Sequence, residues 1–366
     1  MCKNVKVLLS SARPVLTAVC APQNMPLDNS YSLDACTGRL HAIFNETFET
    51  KIAGIFTVGT GTIANAMALA TLCQPHESIL CHPKAHVNGA ECGAPEMMTG
   101  GAKMVPIGHG PGEDDGHGRL SLDCIVRNLG PPRSGRAAQA RAGGVHTPPV
   151  GALSITQPTE SGTCYTVEQV AQIGAACEER GIPLHMDGAR FANAVVSLGC
   201  TPAETTWKAG VKILSFGATK NGTFGAEAVL VFDEELVEKA AFLHKRAGQL
   251  FAKGRFLSAQ LVGYLQDEAW QRTAAAANAA AQRMSQGLIP LGARMVHPVE
   301  TNLLFVTMPS SVAKALHAAG HSFGATPIGE DGMEVQSRIC CNWRTSEEDV
   351  DAFLAVVGGK HATASL

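Results

Sequence analysis

Hydrophobic positions along this chain follow two alternating patterns. Short, largely apolar runs, AGIFTV at 53–58, SILCH at 78–82, AKMVPIG at 102–108 and ALSITQ at 152–157, read as buried strands. IPLHMD at 182–187, VKILSFG at 211–217 and EAVLVF at 227–232 read the same way. Between them lie stretches whose apolar residues recur every three to four positions. Within 31–50, Leu40, Ile43, Phe44 and Phe48 share one helical face, and VEQVAQIGAACEER at 167–180 forms a helix stopped by Gly181. Strands alternating with helices in this way predict an α/β fold with a mostly parallel sheet covered on both faces. Residues 233–287 read as helical with a break near Gly254; the Ala-rich TAAAANAAAQRM suits close helix packing. Beyond Pro290 the order is strand (TNLLFVTMP), helix (SSVAKALHAAG), strand (MEVQSRICCNW) and helix, the last opened by Ser346-x-x-Asp349 as a cap. The expected division is a divergent segment 1–30, a large domain 31–287 and a smaller α+β domain 288–366.

Composition narrows the class. The 366 residues are 45% hydrophobic and 17% charged, enough to bury a large core. A formal charge of -3 gives no support to nucleic-acid binding. No apolar run approaches the roughly 20 residues of a membrane-spanning helix. The 12 cysteines are scattered without a C-x-x-C pair, which points to reduced thiols and a cytoplasmic setting. Residues 1–27 carry Lys3, Lys6 and Arg13 and no acid, the composition of a weak organelle-targeting segment, so a mitochondrial address stays open. Cys81, His82, His86 and Cys92 invite a zinc reading, but Pro83 interrupts the helical turn that would join the histidines and the spacing fits no familiar pattern. No metal is expected.

The chemistry gathers at strand ends. Asp187 closes IPLHMD, and Lys220 follows VKILSFG in an Ala-Thr-Lys-Asn-Gly turn. An acid and a lysine so placed are what a pyridoxal 5′-phosphate (PLP) enzyme needs. The lysine holds the aldehyde as a Schiff base, and the acid keeps the pyridine nitrogen protonated. Gly59-Thr60-Gly61-Thr62, between a strand and the helix-like IANAMALATLC, offers amide groups and a helix N-terminus to a phosphate. His86 and Glu91 follow SILCH, where an imidazole can stack on a flat cofactor or act as a base.

Several motifs in order resemble the low-specificity L-threonine aldolases, PLP enzymes of fold type I (the aspartate-aminotransferase-like group). They are Tyr31-x-x-Asp34, TGTIANA at 60–66, HxxxxECGAPE from His86, VHTPP at 145–149, ITQPTESGT at 155–163, HMDGARFANA, SFGATKNG and a C-terminal RTSEEDV. The likeness spans about residues 31–358 and implies roles for particular positions. Lys220 bonds to the cofactor, Asp187 pairs with its ring nitrogen and His86 stacks on the ring. Gly61 and Thr62 hold the phosphate, with Arg246 reaching a neighbour's phosphate. Arg190 and Arg344 clamp the substrate α-carboxylate, a bidentate task suited to arginine. Tyr31 lies near the substrate at a subunit boundary, because enzymes of this group form homo-oligomers that share sites. Two departures stand out: the first 30 residues lack the family's Ser-Asp-Asn opening, with Ser32 where glycine is usual, and the 110–144 loop is long and rich in Arg and Gly.

The implied reaction is aldol cleavage of L-threonine or L-allo-threonine to glycine and acetaldehyde. His146 is the first choice for the base that takes the β-hydroxyl proton, followed by His86, then Glu91 or a water. A different PLP lyase acting on β-hydroxy-α-amino acids, such as a phenylserine aldolase or a β-eliminating enzyme, shares the same cofactor motifs. A non-catalytic relative of the fold is the reading from another class; an intact Lys220, Asp187, Arg190 and Arg344 argue against it.

Overall fold

The structure, a computed structural model, describes residues 31–131 and 144–364. The expectations for segment 1–30, and for most of 130–144, fall outside the described residues.

In chain order the elements are α1 (Ala35–Thr47), β1 (Gly54–Val58), α2 (Gly61–Leu72), β2 (Ser78–Cys81), α3 (His86–Gly89), α4 (Ala94–Thr99), β3 (Lys103–Pro106), α5 (Leu122–Leu129) and β4 (Val150–Thr156). Then come α6 (Val167–Arg180), β5 (Leu184–Gly188), α7 (Phe191–Leu198), β6 (Val211–Phe216), β7 (Glu227–Val231), α8 (Val237–Arg246), α9 (Arg255–Leu265) and α10 (Ala269–Leu288). The C-terminal part holds β8 (Arg294–Met295), β9 (Leu303–Pro309), α11 (Ser310–Ala318), β10 (Gly324–Ile328), β11 (Glu334–Cys340) and α12 (Glu347–Ala364).

The large sheet has the order β1-β7-β6-β5-β4-β2-β3. Its pairs from β6 through β5, β4 and β2 to β3 are parallel, and β7 runs antiparallel to both its neighbours. The mostly parallel α/β sheet expected from the apolar runs is therefore what forms. Helices cover both faces and produce two apolar clusters, one around Leu40, Phe44, Phe48 and Met186, the other around Met67, Leu69 and Ile79. Phe216, at the end of β6, takes Phe44 edge-on at 5.2 Å and also meets Phe48, Phe191 and Trp270. Each buried ring contributes about 1.5–3 kcal/mol by leaving water, so truncating Phe216 to alanine costs about 3–5 kcal/mol. These rings brace α1 and α7 against the strand that leads to Lys220.

The second sheet is antiparallel, in the order β10-β11-β9-β8. Its apolar face packs on α11 and α12 and on the last turns of α10, through Ala280, Ala281, Met284 and Leu288. Trp270 and Ala274, at the start of α10, belong instead to the large core, so one 20-residue helix serves both. The Ser346 cap is present and reciprocal: the Asp349 amide donates to Ser346 Oγ at 3.1 Å, and the Ser346 amide to Asp349 Oδ2 at 2.9 Å.

Two elements differ from expectation. The segment 110–144 reads as loop, yet 122–129 is the helix α5. Ser121 caps it through the Cys124 amide, and Ile125 and Leu129, one turn apart, are buried. The Gly- and Asp-rich flanks mask that short period in the sequence. The exposed strand β10 has no counterpart among the expected elements. GATPI has no alternation, and pairing with β11 rather than burial makes it a strand.

Candidate functional site

Asp187 and Lys220 reach one place because β5 and β6 pair directly, with Asp187 opposite Ser215. The chain after β6 then passes against the chain after β5. The Gly217 amide donates to the Gly188 carbonyl at 3.0 Å. A Cβ at Gly217 would fall 2.6 Å from Ala189 Cα, so only glycine permits this approach.

Asp187 is almost fully buried, at 1% exposure. Its Oδ1 accepts the Ala189 amide at 3.0 Å and its Oδ2 accepts Asn65 Nδ2 at 3.1 Å. Burial pushes its carboxyl above the ordinary range and Glu160 adds to this; the Ala189 amide, Lys220 and Asn65 oppose it. Arg190 holds the N-cap position of the helix that follows, without a side-chain capping bond. Lys220 is exposed at the carboxyl edge of the sheet, yet the protein around its amine lowers its pKa below the usual lysine value. Arg190 pushes the same way, while Asp187, Glu160 and Glu227 oppose. Lysine, aspartate and arginine therefore share one electrostatic neighbourhood.

His86 begins α3, with Nδ1 2.8 Å from Glu91 Oε1. The same Glu91 oxygen accepts Asn65 Nδ2 at 2.8 Å. His86, Glu91, Asn65 and Asp187 thus form one continuous hydrogen-bonded chain. Burial and the nearby Asp187 push the Glu91 carboxyl up, while His86 and Asn65 pull it down.

At the start of α2, the Thr60 side chain caps the Ile63 amide and the Thr60 carbonyl takes the Ala64 amide. Gln249 occupies the Gly59 amide at 2.9 Å. Gly61 and Thr62, in the first helical turn, have no carbonyl of the preceding turn to bond. A Cβ at Gly61 would meet nothing within 4 Å, so the approach to these amides is open.

Other expected residues lie outside this chain of hydrogen bonds. Tyr31 is half exposed, with φ +59° and Lys245 Nζ 5.2 Å from its ring centre. Ser32 has φ +64°, the backbone region that favours glycine. Arg246 is exposed at the end of α8, and His146 is exposed on a single 3-10 turn. Arg344 is half-buried on the turn after β11, where its amide donates to Asn342 Oδ1. The Cys/His cluster does not converge. Burial pushes the Cys81 thiol up to about 12, His82 pairs with Asp114 and His86 with Glu91. Among the described residues no group of three His, Cys, Asp or Glu could hold a metal. A groove of about 530 Å³, lined by Arg39, Glu46 and Trp270, contains none of the site residues.

Three further residues, Asn65, Glu160 and Glu227, are not among those expected from the sequence. Asn65 lies in TGTIANA, one helical turn beyond Gly61, and that i,i+4 spacing is the signal that could have found it. Glu160 lies in ITQPTESGT. Glu227 opens a strand read as apolar; it is buried, and its Oε2 accepts the Ala218 amide at 2.5 Å.

A buried acid at one strand end, a lysine of lowered pKa beside it, a histidine held by a carboxylate and open helix-start amides define a PLP enzyme of fold type I. The beta-eliminating lyase family profile matches residues 20–311. The low specificity L-threonine aldolase of Pseudomonas aeruginosa is 40% identical over 338 residues, 92% of this chain and 91% of the relative. That of a Pseudomonas species is 41% identical over 324 residues, 88% of this chain and 87% of the relative. A Leishmania major threonine aldolase structure superposes with a TM-score of 0.83 at 26% identity, covering 95% of both chains. The chain belongs to the low-specificity L-threonine aldolases.

Proposed function

We propose that the protein holds PLP at Lys220 and cleaves the Cα–Cβ bond of L-threonine and L-allo-threonine, releasing glycine and acetaldehyde. The observation that carries this reading is the electrostatic coupling of buried Asp187 with Lys220, which stand at or just past the ends of two directly paired strands. The residues present fit the cofactor. Gly61 and Thr62 offer amides to a phosphate, Asp187 offers a dehydrated carboxylate to a ring nitrogen, and His86 stands ready to stack on a ring. Desolvation lowers the Lys220 pKa, a shift toward the neutral amine that bonds to a carbonyl carbon.

Bound there, PLP supplies the electron sink for the pair left on Cα when Cα–Cβ breaks. Asp187 holds the ring-nitrogen proton on which that sink depends. Arg190 and Arg344 take the substrate α-carboxylate and orient the scissile bond. A base removes the β-hydroxyl proton as the aldehyde leaves, and a proton returned to Cα completes glycine; His146 is the first choice for the base, then His86, with Glu91 or a water behind them. The glycine-forming reaction places the protein in threonine catabolism and glycine supply.

The active form is a homo-oligomer built on a dimer. Exposed Tyr31, Leu33, Phe224, Phe251 and Phe256 support it, together with the exposed Arg246 intended for a neighbour's phosphate. A cytoplasmic location is supported by the cysteine-rich composition and by ten free cysteines among the described residues. No helix among those residues is long and apolar enough to cross a membrane. Residues 31–287 form the PLP-binding domain and 288–366 the smaller one.

Protein purified with PLP is expected to show a Schiff-base absorbance in the visible range and to release acetaldehyde from threonine and allo-threonine. Lys220→Ala abolishes both signals. An absorbance without aldehyde from any β-hydroxy amino acid would leave the cofactor and remove the aldolase.

A further inference from the structure

We propose that Asn65 is a positioning residue for the cleavage reaction: its one amide nitrogen holds Asp187 and Glu91 together and so keeps the Asp187 carboxylate available to the cofactor's ring nitrogen. The proposal rests on reading Asp187 and Lys220 as a PLP site.

The residue is out of place for packing alone. Its helix neighbours Ala64, Ala66, Met67, Ala68 and Leu69 are buried and apolar, and Asn65 is buried with them at 3% exposure. An unpaired buried amide is costly, so a polar side chain there calls for partners. It has two, both acids. An asparagine Nδ2 carries two N–H donors. One serves Glu91 Oε1 at 2.8 Å, the other Asp187 Oδ2 at 3.1 Å.

Consider what the pair of carboxylates would do without it. Two acids in a dehydrated site repel, and one proton stays between them rather than in solution. An N–H donated to each oxygen favours the charged form of each, so the amide offsets part of that repulsion. His86 adds a second contact to the same Glu91 oxygen at 2.8 Å, which anchors the far end. Asn65 Oδ1 and Glu91 Oε2 are buried with no hydrogen-bond partner among the described residues. Both N–H donors of this amide reach carboxylate oxygens, so the side chain acts on the charge of the two acids.

Cofactor analogues provide the test. In 1-deazapyridoxal 5′-phosphate a carbon replaces the ring nitrogen, so this molecule makes no use of the Asp187 charge. Affinities of both molecules are measured for wild type, Asn65→Ala and the near-isosteric Asn65→Asp, with circular dichroism and thermal unfolding of each apoprotein. Asn65→Ala is expected to weaken PLP about ten-fold or more, the size of a lost charge-assisted hydrogen bond. Its affinity for the deaza analogue stays within about two-fold, because the phosphate and aldehyde contacts are untouched. Asn65→Asp keeps the volume but loses the donors and adds a third acid, so it is expected to lose PLP to at least the same degree. Equal losses for the two molecules would mean that Asn65 merely supports the fold, and unchanged PLP affinity in Asn65→Asp would mean that its donors do nothing; either result overturns the proposal. A wild-type protein that binds neither molecule removes the PLP reading itself.

Discussion

Glu227 accepts the backbone amide of Ala218 at 2.5 Å, two residues before Lys220, from a strand whose other side chains are apolar. The carboxylate is buried and lies within the electrostatic reach of Lys220. Removing it in Glu227→Ala leaves an unsatisfied N–H and frees the turn, at a cost of about 1–3 kcal/mol. Denaturant unfolding of the apoprotein is expected to show that loss, accompanied by a weaker Schiff-base absorbance at fixed PLP. Glu227→Gln keeps an acceptor and recovers most of the stability. No difference between the alanine and glutamine variants would show that the carbonyl geometry is irrelevant.

Gly217 carries a second prediction. Since its Cβ position lies 2.6 Å from Ala189 Cα, Gly217→Ala must push the Lys220 turn away from the Asp187 strand end. Backbone cannot yield as a flexible side chain does, so overpacking of about 1–3 kcal/mol is expected. PLP affinity falls with it, by an order of magnitude or more, because lysine and acid lose their register. A substitution that lowers stability but leaves PLP titration unchanged would separate the packing from the site.

The base can be assigned by comparing two histidines. His146→Ala is expected to lower kcat about 10²–10⁴-fold, the usual worth of general base catalysis, with cofactor absorbance intact. His86→Asn, which still offers a hydrogen-bonding group to Glu91, lowers turnover while PLP stays bound. Should His146→Ala turn over at the wild-type rate, proton removal passes to His86 or to a water it holds.

His185 sets an acid limit on stability. It is fully buried between Ser154 Oγ at 2.9 Å and Ser215 Oγ at 3.0 Å, and burial lowers its pKa from 6.5 to about 3. Between those values the unfolded chain binds a proton that the native chain refuses, so stability rises with pH and is lost as pH falls from 6.5 toward 3. The slope from this one group is at most about 1.4 kcal/mol per pH unit. Denaturant unfolding at several pH values measures it. In His185→Gln the acid-side slope flattens by that amount; an unaltered slope would assign acid instability to other groups.

Much of this was legible in the chain. Continuous apolar runs between helical periods marked the strands of the parallel sheet, since a strand covered on both faces has no polar side to show. The positions of Asp187, Lys220, His86 and the Gly61 turn at or just past strand ends were legible because strand ends can be counted along a sequence. Helix α5 and strand β10 were not: the first is too short for its period to stand clear of its flanks, and the second is held by pairing rather than by burial.

The sequence by itself determined which residues stand at the strand ends and what chemistry they can do. Tertiary structure alone decided which of them touch. That β5 and β6 are neighbours, that Gly217 lets their ends close, and that Asn65 on one helix reaches both Glu91 and Asp187 are facts of strand order and packing. Local periodicity reports only which side of an element is buried. Contacts between residues 65, 91 and 187, and between 218 and 227, depend on how distant elements are stacked, and no short-range pattern records that.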